Sequence, residues 1–261
     1  MTIPLVSIIT PLHNSGHTIT ETMDSVAAQT LMEYEHIIID NLSTDDGPEQ
    51  VRARALKDPK IKLLTQNEMA GAGPTRNVGI EAAQGRYIAF LDADDTWHAD
   101  KLSTQIKHMQ DNDLAFSWTS YTVDNGTDGN KPVRQTKPTA SSRDLLSKKS
   151  VIGCLTTVYD TQQLGKVFMS DIKKRQDFVL FVKLLRMIEE KNLKAGGLVQ
   201  VLANYRLQES SLSSDKSSAA KYQWKALTQE CGLSKPEAML MFVSYAIRGL
   251  LDRLIIKAKR S

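Results

Sequence analysis

A pair of carboxylates stands at the end of a strand-like segment in the first half of the chain. Asp92 and Asp94 follow the apolar run at residues 86–91, with Ala93 between them. Side chains at positions i and i+2 of an extended chain project to the same side. A hard divalent cation prefers one or two protein carboxylates and completes its shell with phosphate oxygens and water. The spacing therefore indicates a metal–phosphate site, although Asp94 and Asp95 would equally serve as caps of a helix beginning at Thr96.

A second polar feature precedes the same strand. Arg76 lies near the start of a predicted helix, behind the tripeptide Gly71-Ala72-Gly73. Flexible glycines, free backbone N–H groups and a guanidinium together suit a diphosphate. A lone arginine also commonly forms a structural salt bridge, so the residues alone leave both roles open.

The elements around these groups predict how they are positioned. Strand signals alternate with helical signals up to residue 95, with strands at 6–10, 36–39, 61–64 and 86–91, and helices at 18–29 and 74–83. Pro11 is expected to end the first strand. This rhythm predicts an α/β fold with a mainly parallel twisted sheet flanked by helices, in which ligands bind beyond the carboxyl ends of the strands. Farther along, residues 124–142 are expected to form a surface loop or the end of a hairpin, 176–190 a helix and 198–205 a strand.

Composition narrows the function classes. The 261 residues are 41% hydrophobic, enough for one large domain, or for a domain with a helical appendage. A formal net charge of +3 excludes a strongly basic nucleic-acid binder. Two cysteines without CxxC spacing, Cys154 and Cys231, favour a reducing, cytoplasmic compartment over a zinc site or a disulfide scaffold. No secretory signal and no transmembrane helix are predicted.

Three segments together resemble the family-2 glycosyltransferases of the GT-A fold. They are SIITPLHN at residues 7–14, IIDNLSTD at 38–45, and the stretch from RNVGI at 76–80 to AQGRYIAFLDADD at 83–95. The match is dense over the first 100 residues and weaker up to residue 225. The resemblance implies a GT-A, Rossmann-like sheet and a nucleotide-diphosphate sugar donor, with a leaning to uridine as the base. It also implies Mn²⁺ or Mg²⁺ as cofactor.

The same resemblance assigns roles to individual residues. The implied donor-binding positions are Pro11, Asn14, Asp40, Arg76, Asp92, Ala93, Asp94 and Arg206. Pro11 and Asp40 would border the base, unless Asp40 only caps a turn. Asp94 would bind the metal, and Asp92 would approach the ribose or the metal's shell.

The chain departs from the family pattern just after the second strand. Asn41 and Leu42 replace the usual Asp-Gly. Leucine in place of glycine predicts a loop that needs no positive φ at that position.

A candidate catalytic base begins the helix predicted at 176–190. Asp177 resembles the second carboxylate of the family's Glu-Asp pair, which takes the proton of the acceptor hydroxyl, whereas Gln176 replaces the glutamate. An aspartate in a first helical turn is also favourable in any protein. With one base and no carboxylate nucleophile, transfer with inversion is expected. Lys173 and Lys174, just before it, are expected to be solvated or to help hold an acidic acceptor.

Two later segments add expectations. Residues 205–213 resemble a family loop in which Arg206 and Lys216 would meet the diphosphate, although Gln208 stands where histidine is common and a plain surface loop is an alternative. From Glu237 onward an amphipathic helix with a basic end is predicted, either packed on the core or lying on an anionic membrane surface.

These observations predict a metal-dependent inverting hexosyltransferase that uses a UDP-sugar. Its expected acceptor is a glycan linked to a polyprenyl diphosphate. The enzyme is expected to act in the synthesis of O-antigen, capsule or another cell-surface polysaccharide, at the inner face of the cell membrane. The predicted domains are 1–214, with a nucleotide-binding half at 1–100 and an acceptor half at 101–214, and a helical extension at 215–261. The alternatives are a sugar-1-phosphate nucleotidyltransferase and a non-catalytic sugar-nucleotide binding module.

Overall fold

One mixed β-sheet organises the chain. The computed structural model describes residues 3–124, 126, 131–147, 152–207 and 216–244. The strands of these ranges are β1 (Val6–Leu12), β2 (Tyr34–Asp40), β3 (Ile61–Thr65), β4 (Tyr87–Phe90), β5 (Thr96–Trp97), β6 (Leu114–Asp124), β7 (Val133–Arg134), β8 (Val158–Asp160) and β9 (Lys194–Arg206).

Helices cover the sheet and continue beyond its last strand. They are α1 (Ile19–Ala27), α2 (Gly47–Ala55), α3 (Ala72–Ala82), α4 (Lys101–Asn112), α5 (Ser142–Ser147), α6 (Thr161–Leu164), α7 (Gln176–Glu190), α8 (Lys216–Lys225) and α9, at 235–244. A 3₁₀ turn lies at Cys154–Thr156 and a π-helical turn at Ala226–Glu230. The predicted α/β alternation is confirmed, and the helix predicted at 176–190 is α7.

The strand order is β3-β2-β1-β4-β8-β6-β9-β5, with β7 beside β6. The first four strands run parallel, so the carboxyl ends of β1, β2 and β4 meet at one edge. β8 joins β4 to β6 by antiparallel pairing on both sides, and β6 and β9 pair in parallel. The chain after residue 100 is therefore hydrogen-bonded directly onto the first 100 residues through the middle of the sheet.

Alternate residues of β1 supply the cores on the two faces of the sheet. Ile9 belongs to the cluster that includes Phe178 and Leu184 of α7, whereas Ile8 belongs to the cluster that includes Leu102 of α4. Nearly every residue of β1, β2 and β4 is buried, so apolar residues occupy both faces of these strands and do not simply alternate with polar ones.

Pro11 does not end β1, contrary to expectation. The strand continues to Leu12, pairing Pro11 with Ile39 of β2. On its other side β1 pairs with β4, and this pairing ends earlier along β1. The hydrogen bond from Leu91 N–H to the Ile9 carbonyl lies at its end. The missing N–H of Pro11 would point to that side, where no ladder bond is lost.

The C-terminal helices pack on the core only in part. Ala226, Leu227 and Ala238 are buried against the cluster that includes α7. Leu240 and Val243 of α9 are 64% and 45% exposed. The remainder of the predicted amphipathic face, from residue 245, lies outside the described residues, as does the segment 208–215 that follows β9. In the described ranges, no helix has the length and apolarity needed to span a bilayer.

Candidate active site

The loop after β2 is folded by its own polar side chains. Asp40, buried at the end of β2, accepts a hydrogen bond at its Oδ1 from Ser43 N–H at 3.0 Å. Asn14 braces the same loop, accepting at its Oδ1 from Thr44 N–H at 2.8 Å. The turn-capping alternative for Asp40 is therefore what the structure displays. Both side chains shape the edge of the site rather than line its cavity.

Leu42 has φ +56°, so the expectation that this loop needs no positive φ was wrong. The left-handed conformation costs a non-glycine residue about 1–2 kcal/mol. The hydrogen bond from Ser43 N–H to Asp40 holds the chain in this turn. The turn geometry that glycine would provide is thus retained with leucine in its place.

Asn41 has a structural role that the sequence did not reveal. Its Nδ2 donates to the Ala70 carbonyl at 2.8 Å, and its Oδ1 accepts from Ala70 N–H at 2.9 Å. His13 Nδ1 lies 2.9 Å from the Asn41 carbonyl oxygen. Asn41 therefore ties the loops after β1 and β3 together where they border the cavity. Its place directly after a buried strand was the only signal.

Helix α3 positions Arg76 because a glycine lets the helix approach the sheet closely. A Cβ on Gly79 would come within 2.6 Å of Ile9 Cγ2 and 2.8 Å of Ile39 Cδ1. Arg76 is buried and its guanidinium donates to the Asp92 carboxylate. Burial lowers the pKa of Arg76, but the neighbouring negative groups, with Asp92 first among them, together outweigh burial and raise it.

The carboxylates after β4 form a tight turn in which Asp95 N–H donates to the Asp92 carbonyl at 3.1 Å. Thr96 continues into β5 and not into a helix, so the helix-capping alternative was wrong. Asp95 instead accepts at its Oδ1 from Arg206 N–H at 2.9 Å, and its buried Oδ2 has no hydrogen-bond partner among the described residues. Burial and the charges of Asp92 and Asp94 raise the pKa of Asp95 well above its ordinary value.

Asp94 borders two cavities. Burial and, next, the charge of Asp92 raise the pKa of Asp94 to about 6. A small polar cavity of about 110 Å³ lies between Asp94 and Arg206, whose guanidinium donates to Glu21. Arg206 therefore borders the small cavity and does not line the larger one.

The larger of the two cavities that Asp94 borders, of about 640 Å³, opens at the carboxyl ends of the parallel strands. It brings together five predicted site residues, which are Pro11, Arg76, Asp92, Ala93 and Asp94. Four others, Asn14, Asp40, Asp177 and Arg206, do not line it. Its other lining residues include Lys173, Lys174 and Tyr222, which were not predicted to bind the donor.

Asp177 is half-buried in the first turn of α7, where its Oδ1 accepts from Phe178 N–H at 2.8 Å. Its negative charge is close enough to Arg76 to help raise the pKa of the guanidinium. The carboxylate thus lies near the Arg76–Asp92 pair, although it comes from a segment more than 80 residues later.

The segment from Met169 to Gln176, which leads into α7, packs on α3. Asn77 Nδ2 donates to the Met169 carbonyl at 2.9 Å, and its Oδ1 accepts from Met169 N–H at 2.8 Å. A Cβ on Gly73 would lie 2.9 Å from the Ser170 carbonyl oxygen and 3.2 Å from Gln176 Cβ. Asn77 and Gly73 therefore position the start of α7, a role that the sequence did not reveal.

The residues present fit a divalent cation that is bound partly by the protein and partly by a substrate. No group of three His, Cys, Asp or Glu side chains in the described ranges could hold a metal ion by itself. Asp92 and Asp94 offer two carboxylates, so phosphate oxygens and water would have to complete the shell, as is typical for Mg²⁺. A cation there would also relieve the repulsion that raises the pKa of Asp94.

Comparisons with known proteins bear on the family of this chain. The sequence profile of glycosyl transferase family 2 matches residues 7–161. The chain is 38% identical over 253 residues to the putative teichuronic acid biosynthesis glycosyltransferase TuaG of Bacillus subtilis (strain 168), covering 96% of this chain and 98% of that protein. It is 37% identical over 226 residues to the UDP-Glc:alpha-D-GlcNAc-diphosphoundecaprenol beta-1,3-glucosyltransferase WfgD of Escherichia coli, covering 85% of each.

Solved structures confirm the fold. S. aureus TarS 1–349 in complex with UDP-GlcNAc matches with a TM-score of 0.69 over 93% of this chain and 72% of that chain. At 18% identity this likeness establishes the GT-A fold alone. With the family profile covering more than half of the chain and relatives matching nearly all of it, the protein belongs to glycosyl transferase family 2 and is a glycosyltransferase.

Proposed function

We propose that this enzyme transfers a hexose, with inversion, from a UDP-sugar to a hydroxyl of a polyprenyl-diphosphate-linked glycan during cell-surface polysaccharide synthesis. The observation that carries the proposal is the cavity that joins Arg76, Asp92 and Asp94 at the carboxyl ends of the sheet. The names of the relatives support the substrate classes, since WfgD is named for a UDP-Glc donor and a diphosphoundecaprenol acceptor.

Asp92 and Asp94 would hold Mn²⁺ or Mg²⁺ in this proposal. The cation would neutralise the charge that builds on the leaving diphosphate. Arg76 holds Asp92 in place through their ion pair and adds a fixed positive charge to the diphosphate side of the cavity. Pro11, Asn14 and Asp40 would border the donor base, the latter two through the loop that they brace.

Asp177 would take the proton of the acceptor hydroxyl as the hydroxyl attacks the anomeric carbon. A single positioned carboxylate typically contributes about 10²–10⁴-fold to such a step. The position of Asp177 near Arg76, held by the hydrogen bonds between Asn77 and Met169, supports this role. In-line attack without a carboxylate nucleophile inverts the configuration, so an α-linked donor would give a β-linked product.

The proposed domain organisation keeps 1–214 as catalytic domain and 215–261 as helical extension. Tyr222 of α8 lines the cavity, so the extension would take part in forming the site. The exposed Leu240 and Val243 of α9, together with the basic residues that end the sequence, support peripheral contact with an anionic membrane at its cytoplasmic face.

The test is transfer of labelled sugar from a panel of UDP-sugars to a synthetic GlcNAc alkyl diphosphate, with and without Mn²⁺. Asp177→Asn should lower kcat by about 10²-fold or more while UDP binding in Mn²⁺ stays within twofold. Asp171→Asn, an exposed neighbour in the same segment, is the matched control and should be unaffected. Transfer by Asp177→Asn at the wild-type rate would remove the base assignment. UDP binding without any transfer by the wild-type protein would favour a non-catalytic binding module.

A further inference from the structure

Lys173, Lys174 and Tyr222 form a cationic wall of the cavity that Asp92 and Asp94 also line. Lys173 is exposed, and Lys174 and Tyr222 are half-buried. The Lys174 Nζ lies 5.9 Å from the centre of the Tyr222 ring, within the range of a cation–π contact. The wall thus combines two ammonium groups with an aromatic ring contributed by the helical extension.

The backbone of this segment is fixed in an unusual conformation. Arg175, between the lysines and α7, has φ +74°. A non-glycine residue keeps this conformation only where its surroundings determine it, and here the segment is docked through Asn77 and Gly73. The same turn presents the lysines to the cavity and begins the helix that carries Asp177.

We infer that this cationic wall binds the diphosphate of the lipid-linked acceptor, an inference that rests on the proposed function. Lys173 and Lys174 precede Asp177 by only four and three residues. In an in-line displacement the donor diphosphate leaves from the face of the anomeric carbon opposite the attacking hydroxyl, so an anion held beside the base belongs to the acceptor molecule. In an acceptor such as the one for which WfgD is named, the glycosylated sugar is attached directly to the diphosphate. The anion then lies one sugar ring from the reacting hydroxyl.

The distribution of charge separates this anion from the diphosphate of the donor. Asp92 and Asp94 line the cavity with Arg76, whose guanidinium pairs with Asp92. A dianionic donor beside these carboxylates therefore requires the divalent cation. The lysines of the cationic wall bring positive charge without a metal, which suits a second diphosphate that is not the leaving group.

The test uses the full-length chain and two acceptors, GlcNAc α-linked to an alkyl diphosphate and the matched α-GlcNAc alkyl glycoside. In Lys173→Gln/Lys174→Gln, KM for the diphosphate acceptor should rise about tenfold or more. KM for the glycoside and KM for the UDP-sugar should stay within about twofold of the wild type. Lys57→Gln/Lys183→Gln removes two exposed charges away from the cavity and should leave all three values unchanged.

A binding measurement tests the cationic wall independently of sugar transfer. Calorimetric titration with hexyl diphosphate should show about tenfold weaker binding to Lys173→Gln/Lys174→Gln, with binding of UDP in Mn²⁺ unchanged. Loss of UDP affinity with hexyl diphosphate binding intact would assign the lysines to the donor and overturn the inference. Equal affinities of variant and wild type for both ligands would also overturn it. If the wild type transfers no sugar, the proposed function fails, while the titration still decides whether the wall binds a diphosphate.

Discussion

Replacing Asp94 by asparagine should move stability and activity in opposite directions. The pKa of Asp94 is raised from 3.8 to about 6, by burial and then by the charge of Asp92. A carboxyl whose pKa is higher in the folded chain holds its proton more tightly there than in the unfolded chain. Its ionisation therefore destabilises the fold above pH 6, and the penalty disappears as the pH falls from about 6 towards 4.

The difference between 3.8 and about 6 corresponds to about 3 kcal/mol of folding free energy in metal-free buffer at pH 8. Residual solvent contact of this half-buried side chain reduces the effect, so a gain of about 1–3 kcal/mol is expected for Asp94→Asn. The amide has nearly the same shape but carries no charge. At pH 4.5 the wild-type carboxyl is mostly protonated in the folded chain but still mostly ionised in the unfolded chain, so the advantage of the variant should fall to about a third of its value at pH 8.

Urea unfolding in EDTA measures the difference in stability between Asp94→Asn and the wild type at pH 8 and at pH 4.5. Asp111→Asn, on the exposed face of α4, is the matched control and should change stability by less than about 0.5 kcal/mol at either pH. Adding Mn²⁺ with UDP should stabilise the wild type but not Asp94→Asn, and the variant should lose metal-dependent transfer. A variant that is less stable than the wild type at pH 8, or a gain that does not depend on pH, would refute the reasoning.

Three further substitutions test how the fold holds the site. Gly79→Ala should lower the free energy of unfolding by about 1–3 kcal/mol, because its Cβ would meet two isoleucines of the sheet at 2.6 and 2.8 Å. Gly71→Ala, with one contact at 3.7 Å, is the control in the same urea titration. Asn77→Ala should lower kcat about tenfold or more with UDP affinity unchanged, since it releases the segment that carries Asp177; a parallel loss of UDP affinity would contradict this. Leu42→Val should be less stable than Leu42→Asn by about 1 kcal/mol or more, because a β-branched residue resists a positive φ and asparagine tolerates it. Equal melting temperatures would count against that reasoning.

The donor side of the site could be predicted from the sequence because its parts are local. Asp92 and Asp94 follow a buried strand directly, and strands that alternate with helices pair in parallel. The carboxyl ends of β1, β2 and β4 therefore meet at one edge. The cavity duly contains Pro11, Arg76 and the two carboxylates.

Contacts between distant segments could not be predicted in this way. The Asn77–Met169 pair joins residues 92 apart, and no periodicity signals such a contact. The turn at Leu42 was predicted wrongly for a different reason. A leucine predicts that a positive φ is costly, but it does not predict the hydrogen bond from Ser43 N–H to Asp40 that holds the chain in this turn. The alternative that Asp94 and Asp95 cap a helix was wrong because Thr96 belongs to a strand, which pairs with β9 far along the chain.

The position of β8 in the sheet has a consequence for dissecting the protein. β4 pairs with β1 on one side and with β8 on the other, and β8 arrives only at Val158–Asp160. A fragment that ends at residue 100 would leave the buried, apolar β4 as an open edge, a template for aggregation. We expect the nucleotide-binding half to be insoluble when expressed alone, although it carries all the parallel strands of the donor site. Fragments designed to isolate donor binding would therefore need to extend at least through β8.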